Sequence, residues 1–425
     1  MISVFVGSLF GAMAIGMPIA FALLASSVVL MYFLGNFDSQ IIAQNLINGA
    51  DNFPLMAIPF FMLAGELMNQ GGLSRRIVEM AMTLVGHIRG GLGYVAIIAA
   101  LLFASISGSA VADTAALGSV LIPIMAKAGY NINRASGLIA TGGIIAPVLP
   151  PSIGFIIFGV ASGVSITKLF MAGIVPGLLM ALGLMITWSI VARKDKVIVQ
   201  PRASAKEMFA AVRQGIWALF LPIIIIAGLK FGVFTPTEAA VVAAVYALIV
   251  GLFVYRELKV KDLYHVFVQS SKMTSVVMFL VAAALVSSWL ITVANLPGMV
   301  IEMLEPFIDN PLLLLIMINL LVILIGTAMD MTPTILILTP VLMPVVQAAG
   351  IDPVYFGVLF ILNNAIGLLT PPVGTVLNVM CGVSKISMED LMKGIWPFLL
   401  VEVIILILLI LFPSLVTVPM EWFTS

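Results

Sequence analysis

The chain has 425 residues, 62% of them hydrophobic and only 9% charged, and its formal net charge is zero. Soluble domains contain about 45–50% apolar and about 25% charged residues, so this composition excludes a water-soluble fold. Without a basic or acidic tail, the chain also offers no surface charge suited to nucleic-acid binding.

Long apolar segments recur from the first residues to the last. A bilayer core of about 30 Å is crossed by roughly 20 apolar residues in a helix. Segments of this kind cover residues 3–33, 170–192, 233–255, 273–294 and 395–412. The first begins close to Met1 without a small-residue cleavage signal, so we expect it to stay on the protein. The chain is predicted to be an all-α polytopic membrane protein.

Residues 91–126 are too long for one span and are interrupted at the segment 105–109, Ser-Ile-Ser-Gly-Ser, here called the first tip. Arg89 precedes this stretch and Lys127 follows it, so both ends are expected on one side of the membrane. We predict a re-entrant helical hairpin.

The next apolar segment, 135–163, contains Ala-Pro-Val-Leu-Pro-Pro-Ser at 146–152, here called the first break. The pair Pro150-Pro151 removes two backbone donors and disfavours helix at the preceding residue. This pattern predicts a broken helix.

The middle of the chain is more polar. Residues 200–214 place Arg202, Lys206, Glu207 and Arg213 among apolar residues. This favours an amphipathic helix on the inner membrane surface over a plain linker. Residues 260–272 resemble it, and a linking helix is predicted around 217–230.

The second half repeats the hairpin and the broken helix. Residues 311–348 form a second predicted hairpin, interrupted at the second tip, 326–330, Gly-Thr-Ala-Met-Asp. Residues 353–382 form a second broken helix around the second break, 367–374, which contains Pro371-Pro372.

One ungapped offset of 221 residues relates the two halves. It maps Pro123 to Pro344, Gly129 to Gly350, Pro150-Pro151 to Pro371-Pro372, Gly173 to Gly394 and Pro176 to Pro397. At a background of about 5% proline, chance gives well under one such match. The chain is therefore an internal duplication, which is the sequence signature of a repeat architecture.

Loop charges orient the two copies. Cytoplasmic loops carry an excess of lysine and arginine. The basic groups are Arg75-Arg76 with Arg89, Arg193-Lys194 through Arg213, Arg256 with Lys259 and Lys261, and Lys385 with Lys393. The acidic stretches without a basic residue are those of Asp38 and Asp51, and of Glu302, Glu305 and Asp309. With these assigned inside and outside, the second copy is inverted relative to the first.

The breaks are the candidate binding sites. Non-helical backbone survives in hydrocarbon only where it is buried in protein or lines a cavity. Carbonyls freed at a break, together with serine and threonine hydroxyls, suit a small hard cation, and helix N-termini beyond a break suit an anion. The duplication favours a site over the alternative of packed kinks. Small residues at the tips have a second interpretation as well, since they let helices pack closely.

Two carboxylates follow the tips. Asp113, beside Thr114, and Asp330 occupy comparable places after the two tips, and each either ligates a cation or caps the returning helix. Glu66 and Glu238 are interpreted as structural, and Glu402 as an interface or packing residue. Asn363-Asn364 and Asn378 are candidate site or helix-pairing groups.

Catalytic and metal-binding motifs are missing from the sequence. Cys381 is the single cysteine and lies far from His87 and His265, so neither an internal disulfide nor metal-ligand spacing is present. No phosphate-binding loop and no serine with a nearby base occurs, which excludes an ATPase. We expect no enzyme. A channel and an intramembrane enzyme based on Asp113 and Asp330 are the rival hypotheses from other classes.

The string SGSAVADTAALG at 107–118, the Ile-Pro-Ile-Met stretch at 122–125 and the two Pro-Pro breaks resemble the large membrane subunit of tripartite ATP-independent periplasmic (TRAP) transporters. The resemblance runs essentially end to end. It implies an elevator-type fold, with a scaffold and a mobile transport domain, similar to that of divalent-anion/sodium symporters. It also implies sodium-driven import of an organic acid, of the sialic acid or C4-dicarboxylate class, with sialic acid favoured on overall resemblance.

Carried over residue by residue, the resemblance assigns two groups of site residues. The sodium-binding residues would be Ser105, Ser107, Gly108, Ser109, Pro150, Gly326, Thr327, Asn364, Gly367 and Thr370. The substrate-binding residues, between the two sodium sites, would be Asp113, Thr114, Pro151, Ser152, Asp330, Pro372, Thr375 and Asn378. No arginine lies in the hairpins or breaks, so the substrate carboxylate would rest on backbone donors, helix N-termini and bound sodium.

The resemblance also implies partners and a location. These are a separate small four-helix membrane subunit, a periplasmic substrate-binding protein, the organic acid and the lipid bilayer of the bacterial inner membrane. Sodium would be the coupling ion, with no other cofactor. The expected organisation is a first repeat at 1–199, a surface helix and linking helix at 200–233, and a second, inverted repeat at 234–425. A symporter of the divalent-anion type that works without a binding protein is the alternative function.

Overall fold

The computed structural model describes residues 1–35, 37–194 and 201–424, and within these ranges the chain is helical and without β-strands. The helices before residue 195 are α1 Ile2–Ala14, α2 Ile19–Phe33, α3 Ser39–Ala50, α4 Ala57–Gln70, α5 Leu73–Val85, α6 Gly91–Ser107, α7 Ala110–Lys127, α8 Ile132–Gly143, α9 Ile153–Ser162 and α10 Ile166–Val191. Short 3₁₀ turns at Phe53–Met56 and Ala192–Lys194 precede α4 and follow α10.

The helices after residue 200 are α11 Ala205–Lys230, α12 Pro236–Ile249, α13 Val260–Val293, α14 Leu296–Ile308, α15 Pro311–Gly326, α16 Met331–Ala348, α17 Pro353–Gly367, α18 Thr375–Ser384, α19 Met388–Leu411 and α20 Ser414–Thr424. A π-helical turn, Val250–Val254, extends α12. Among the described residues, seven helices are long and apolar enough to cross a membrane, or eight if α3 and α4, bent by 53°, form one span.

Polar side chains fix where several helices begin. Ser204 and Glu207 form a reciprocal capping box at α11, and Thr235 and Glu238 form another at α12. Each pair satisfies backbone donors that a helix N-terminus leaves free. Glu238 is therefore structural, as predicted.

Three predicted segments differ from the structure. The apolar stretch 3–33 is two helices, α1 and α2, packed on each other, because Gly16 adopts a φ of +85° and Pro18 precedes α2. Residues 260–272 are no separate surface helix but the first part of the 34-residue α13. The predicted surface and linking helices at 200–214 and 217–230 are joined in α11, which has no break between them; residue 200 lies outside the described ranges.

The internal duplication is visible helix by helix. With the offset of 221 residues, α7, α8, α9 and α10 begin within a residue of the positions where α16, α17, α18 and α19 begin. The two halves also pack reciprocally: α7 contacts α18 while α9 contacts α16, and α8 contacts α19 while α10 contacts α17. Reciprocal packing is what a two-fold relation between copies produces. Together with the loop charges, it makes the chain a pair of inverted repeats, each with a hairpin and a broken helix.

Segments assigned to the cytoplasm by charge meet in the structure. Arg75 and Arg76 contact the Glu257 carboxylate at 2.7 and 2.8 Å, and the Arg76 guanidinium lies 3.8 Å from the centre of the Tyr255 ring. Arg89 donates to the Arg193 carbonyl oxygen at 3.3 Å. Loops that touch in this way lie on the same side of a membrane, as the charge pattern requires.

Candidate functional site

The first tip is a sharp turn between α6 and α7. The helix α6 ends at Ser107, Gly108 adopts a left-handed φ of +61°, and Ser109 caps α7 by accepting from the Ala112 N–H at 3.4 Å. Ser105 spends its hydroxyl proton on the Leu102 carbonyl of its own helix at 2.7 Å. The predicted hairpin therefore turns within the serine-rich stretch.

The first break packs directly on the first tip. A Cβ added to Gly108 would lie 2.6 Å from the Pro151 carbonyl oxygen, so the two backbones approach as closely as glycine allows. The break itself is ordered by Ser152, whose hydroxyl donates to the Pro147 carbonyl at 2.5 Å and accepts from the Phe155 N–H at 3.1 Å. Pro150 and Ser152 are buried with it. The tip and the break, predicted to form one site, are brought together.

Asp113 lies beneath the first tip. The Ser107 hydroxyl donates to Asp113 Oδ1 at 2.5 Å, while the second oxygen of that carboxyl, Oδ2, has no hydrogen-bond partner among the described residues. Asp113 is 2% exposed. Since Ser109 caps α7, the predicted capping role for Asp113 is wrong. Thr114 is also buried, with an unpartnered hydroxyl that faces α8 at Gly143.

The second tip packs on the second break in the same manner. A Cβ on Gly367 would lie 3.0 Å from the Gly326 Cα, and the Thr327 carbonyl accepts from the Val373 N–H at 3.1 Å. Both proline pairs contain a cis peptide bond, at Pro150-Pro151 and Pro371-Pro372. Gly326, Thr327 and Gly367 are thus neighbours, as the resemblance implied.

Side-chain oxygens line the second break. The Asn364 amide donates to the Phe360 carbonyl at 2.8 Å, and its own oxygen is buried without a partner among the described residues. Thr370 donates to the Ile366 carbonyl at 3.1 Å. These contacts leave oxygen lone pairs free at the break.

The predicted substrate residues of the second half are more open. Asp330 and Pro372 are exposed, and Asp330 Oδ1 accepts from the Thr375 hydroxyl at 3.3 Å. Asn378 donates to the Val373 carbonyl at 2.6 Å, which holds the break's backbone. The first break is enclosed by protein and the second is not.

The two tip regions share a wall. A Cβ on Gly154, two residues after Ser152, would lie 3.3 Å from the Met331 side chain, one residue after Asp330. The residues predicted to bind sodium at each end and the residues predicted to bind substrate between them therefore form one continuous region.

The two carboxylates do not occupy equivalent positions. With the offset of 221 residues, Asp113 corresponds to Thr334 and Asp330 to Ser109. Thr334 donates to the Asp330 carbonyl at 2.8 Å within its own helix. The prediction that both aspartates hold comparable places is wrong in register.

Several polar residues near the site were missed or underrated in the sequence. Asn319 accepts both the main-chain and side-chain contacts of Asn363 at 2.7 Å, and so joins α15 to α17. Glu66 and Asn69 line a cavity of about 50 Å³ with Ser107 and Ser109. The positions 62, 65, 66 and 69 follow the spacing of one helix face, a signal that the sequence did contain.

Glu402 is a buried carboxyl away from the tips. It is 0% exposed in α19, and both of its oxygens lack partners among the described residues. The interpretation as a packing residue places it correctly within the helical core.

The arrangement suits a hard cation chemically. Each tip lies against a break whose carbonyls are released from helical pairing, and Asp113 Oδ2, Thr114 Oγ1 and Asn364 Oδ1 are buried oxygens without partners. Buried polar atoms are costly unless they are satisfied, and hard cations take oxygen ligands. The residues present therefore fit sodium better than a soft metal.

Comparison with known proteins gives the chain's family. A family model described as "Tripartite ATP-independent periplasmic transporter, DctM component" matches residues 6–415. The chain is 56% identical to the 2,3-diketo-L-gulonate TRAP transporter large permease protein YiaN of Escherichia coli over 419 residues, covering 99% of each chain.

Two further relatives are named for other acids. The chain is 41% identical to the sialic acid TRAP transporter large permease protein SiaM of Vibrio cholerae, covering 96% of each chain. It is 37% identical to the C4-dicarboxylate TRAP transporter large permease protein DctM of Pseudomonas aeruginosa, covering 90% of this chain and 89% of that one.

A solved structure shows the same fold. The YdaH transporter of Alcanivorax borkumensis matches with a TM-score of 0.62 at 14% identity, over 88% of this chain and 87% of that chain. The family model and the relatives agree with the resemblance carried by the hairpin string. The chain belongs to the DctM component family, the large permease proteins of the tripartite ATP-independent periplasmic transporters.

Proposed function

We propose that this permease imports an organic acid anion together with sodium, and that both bind where the two tips meet the two breaks. The close packing of Gly108 on Pro151 and of Gly367 on Gly326, beside buried unpartnered oxygens, is the observation that carries the proposal. Irregular backbone of this kind persists at membrane depth where it binds ions or substrate.

Sodium binds at two places in this proposal. At the first, the ligands come from Ser105 to Ser109 and the Pro150-Pro151 break. At the second, they come from Gly326 and Thr327 with Asn364, Gly367 and Thr370. Hydroxyl, amide and carbonyl oxygens are the donors that sodium prefers.

The substrate carboxylate binds between the two sodium ions. Helices α7, α9, α16 and α18 all begin at the tips and breaks, so their N-terminal N–H groups are available to an anion. Asp113, Thr114, Pro151 and Ser152 border this space from the first half, and Asp330, Pro372, Thr375 and Asn378 border it from the second.

The movement is of the elevator type. Helices α6 to α10 and α15 to α19 pack together through the reciprocal contacts of the two halves, and they contain every tip and break. Helices α2, α3, α4 and α13 form a second group, with α12 against α4 and α11 against α5. The first group carries sodium and substrate across the membrane while the second, the scaffold, stays in place.

The substrate is a small hydroxylated or keto sugar acid. Identity is higher to the relative named for 2,3-diketo-L-gulonate, at 56%, than to the one named for sialic acid, at 41%. A periplasmic binding protein delivers the acid, and a small four-helix subunit accompanies the permease in the bacterial inner membrane.

Uptake in proteoliposomes tests this function. The permease and the small subunit are reconstituted, and binding protein loaded with radiolabelled acid is added outside, with an inward sodium gradient or with potassium in its place. We expect accumulation only with the sodium gradient and only with the binding protein. Equal uptake in potassium refutes sodium coupling, and full uptake of free acid favours the alternative symporter without a binding protein.

The acid is identified on the binding protein. Its thermal stability is measured with 2,3-diketo-L-gulonate, sialic acid and succinate in turn. We expect the largest stabilisation with the sugar acid, and a shift only with sialic acid or only with succinate would overturn the substrate class.

A further inference from the structure

The Ser107 hydroxyl is held so that it can only accept. It donates its single proton to Asp113 Oδ1 at 2.5 Å and accepts from the Ser109 N–H at 3.1 Å. A hydroxyl has one proton and two lone pairs, so one lone pair remains. That lone pair suits a cation and repels a carboxylate.

Asp113 supplies more than orientation. A Ser107–Asp113 distance of 2.5 Å falls in the range of charge-assisted O–H···O⁻ bonds, and the carboxyl lies in the first turn of α7, where a helix favours negative charge. Its other oxygen is buried without a partner among the described residues. A buried charge of this kind is stable only when an opposite charge compensates it.

The second half has no such pair. With the offset of 221 residues, Ser107 corresponds to Ala328 and Asp113 to Thr334. Thr334 bonds within its own helix, and the nearby Asp330 is exposed and contacts Thr375. The two tips therefore share a backbone design but differ by one buried negative charge.

We propose that Asp113 is a positioning residue that acts through Ser107 and makes the first tip the stronger of the two sodium sites. The inference rests on the proposed sodium coupling and adds an order to it. Sodium occupies the first tip at lower concentration than the second. Asp113, which the resemblance had assigned to substrate, thus serves the cation.

The test is sodium titration of the purified permease with its small subunit, read as thermal stabilisation in detergent without substrate. We expect two phases in the unmodified protein. In Asp113→Asn, the phase at lower sodium concentration should move to at least ten-fold higher concentration. In reconstituted protein, uptake by this variant should need correspondingly more sodium and recover its maximal rate at saturation.

Matched variants separate positioning from folding. Thr334→Val removes the side-chain hydroxyl at the equivalent place of the second half and should leave the lower phase within two-fold. Ser107→Ala should shift that phase as Asp113→Asn does, and the double variant should be no worse than either single one, because both remove the same interaction. Ser107→Ala also provides the test if Asp113→Asn fails to fold.

Three results would count against the proposal in different ways. An Asp113→Asn variant that is less stable without sodium but titrates like the unmodified protein shows a merely structural role. Additive effects of the two substitutions show that Asp113 does not act through Ser107. Absence of any sodium effect on the unmodified protein instead refutes the proposed sodium coupling itself.

Discussion

Gly108 and Pro151 hold the first hairpin against the first broken helix. A Cβ on Gly108 would lie 2.6 Å from the Pro151 carbonyl oxygen, and Gly108 has a φ of +61°. The residue at the tip is therefore constrained both by its own backbone and by its neighbour.

Gly108→Ala should abolish uptake and lower the stability of the folded protein. A left-handed residue other than glycine costs about 1–3 kcal/mol, and the added methyl group would also push the Pro151 carbonyl away. Sodium-driven uptake and thermal unfolding measure the two effects.

Gly163→Ala is the control for this substitution. Gly163 has a φ of +73°, but nothing lies within 4 Å of a Cβ added there. It should lose stability to a similar degree by the backbone effect alone and retain uptake. Equal loss of uptake in the two variants would show that the contact with Pro151 is unimportant.

Gly367→Ala tests the second tip. A Cβ there would lie 3.0 Å from the Gly326 Cα, in backbone that cannot move away as a side chain does. We expect at least a ten-fold loss of uptake, because the tip and the break must separate. Gly382→Ala, with nothing within 4 Å of its added Cβ, should transport normally. Normal uptake by Gly367→Ala would argue against a site at this contact.

The hairpins and breaks could be predicted from the sequence because their signals are local. Pro150-Pro151 and Pro371-Pro372 disrupt a helix wherever they occur, and the 221-residue offset made them one duplicated feature. The start of α13 misled for the opposite reason. Lys259, Lys261 and Asp262 resemble a surface helix locally, whereas only the continuous hydrogen-bonded structure shows that the helix runs on to Val293.

The partners of the site residues could not be predicted. The Ser107 hydroxyl reaches Asp113 only because Gly108 turns the chain back through a left-handed conformation. Asn319 is a single amide in a leucine-rich span, and its importance depends on Asn363 being placed opposite to it in another helix. Contacts of this kind depend on side-chain direction across elements, which spacing along the chain does not determine.

Glu257→Gln should weaken the corner that joins α5 to the loop before α13. Glu257 contacts both Arg75 and Arg76, and the Arg76 side chain is only 14% exposed. Because the cluster is partly screened by solvent, we expect a loss of about 1 kcal/mol that shrinks at high salt.

Glu389→Gln is the matched control for Glu257→Gln. Its contact with Lys393 is equally short, at 2.7 Å, but the two side chains are 79% and 63% exposed. The control should change the melting temperature little at any salt concentration. A salt-independent loss in Glu257→Gln would mean that packing, rather than charge, holds the corner.

Asn363→Ala should destabilise the second half more than an ordinary amide deletion. Asn363 donates to both the main-chain and side-chain oxygens of Asn319 at 2.7 Å, so its removal leaves buried acceptors without a donor. Interhelical hydrogen bonds in membranes contribute about 0.6 to 1.7 kcal/mol, and an orphaned buried acceptor adds about 1–3 kcal/mol. Thermal unfolding of the purified permease measures the loss.

Asn45→Ala is the control for this last prediction, because Asn45 donates only within its own helix, to the Ile41 carbonyl at 2.9 Å. The double variant Asn319→Ala with Asn363→Ala decides the mechanism. If orphaned acceptors cause the loss, removing the Asn319 side chain as well should return part of the stability lost in Asn363→Ala, since one buried acceptor is gone. A double variant as unstable as the sum of the single ones would show that the amides contribute by filling space. The first half has Gly142 at the position of Asn363, so the amide link would then be a packing difference between the repeats rather than a polar one.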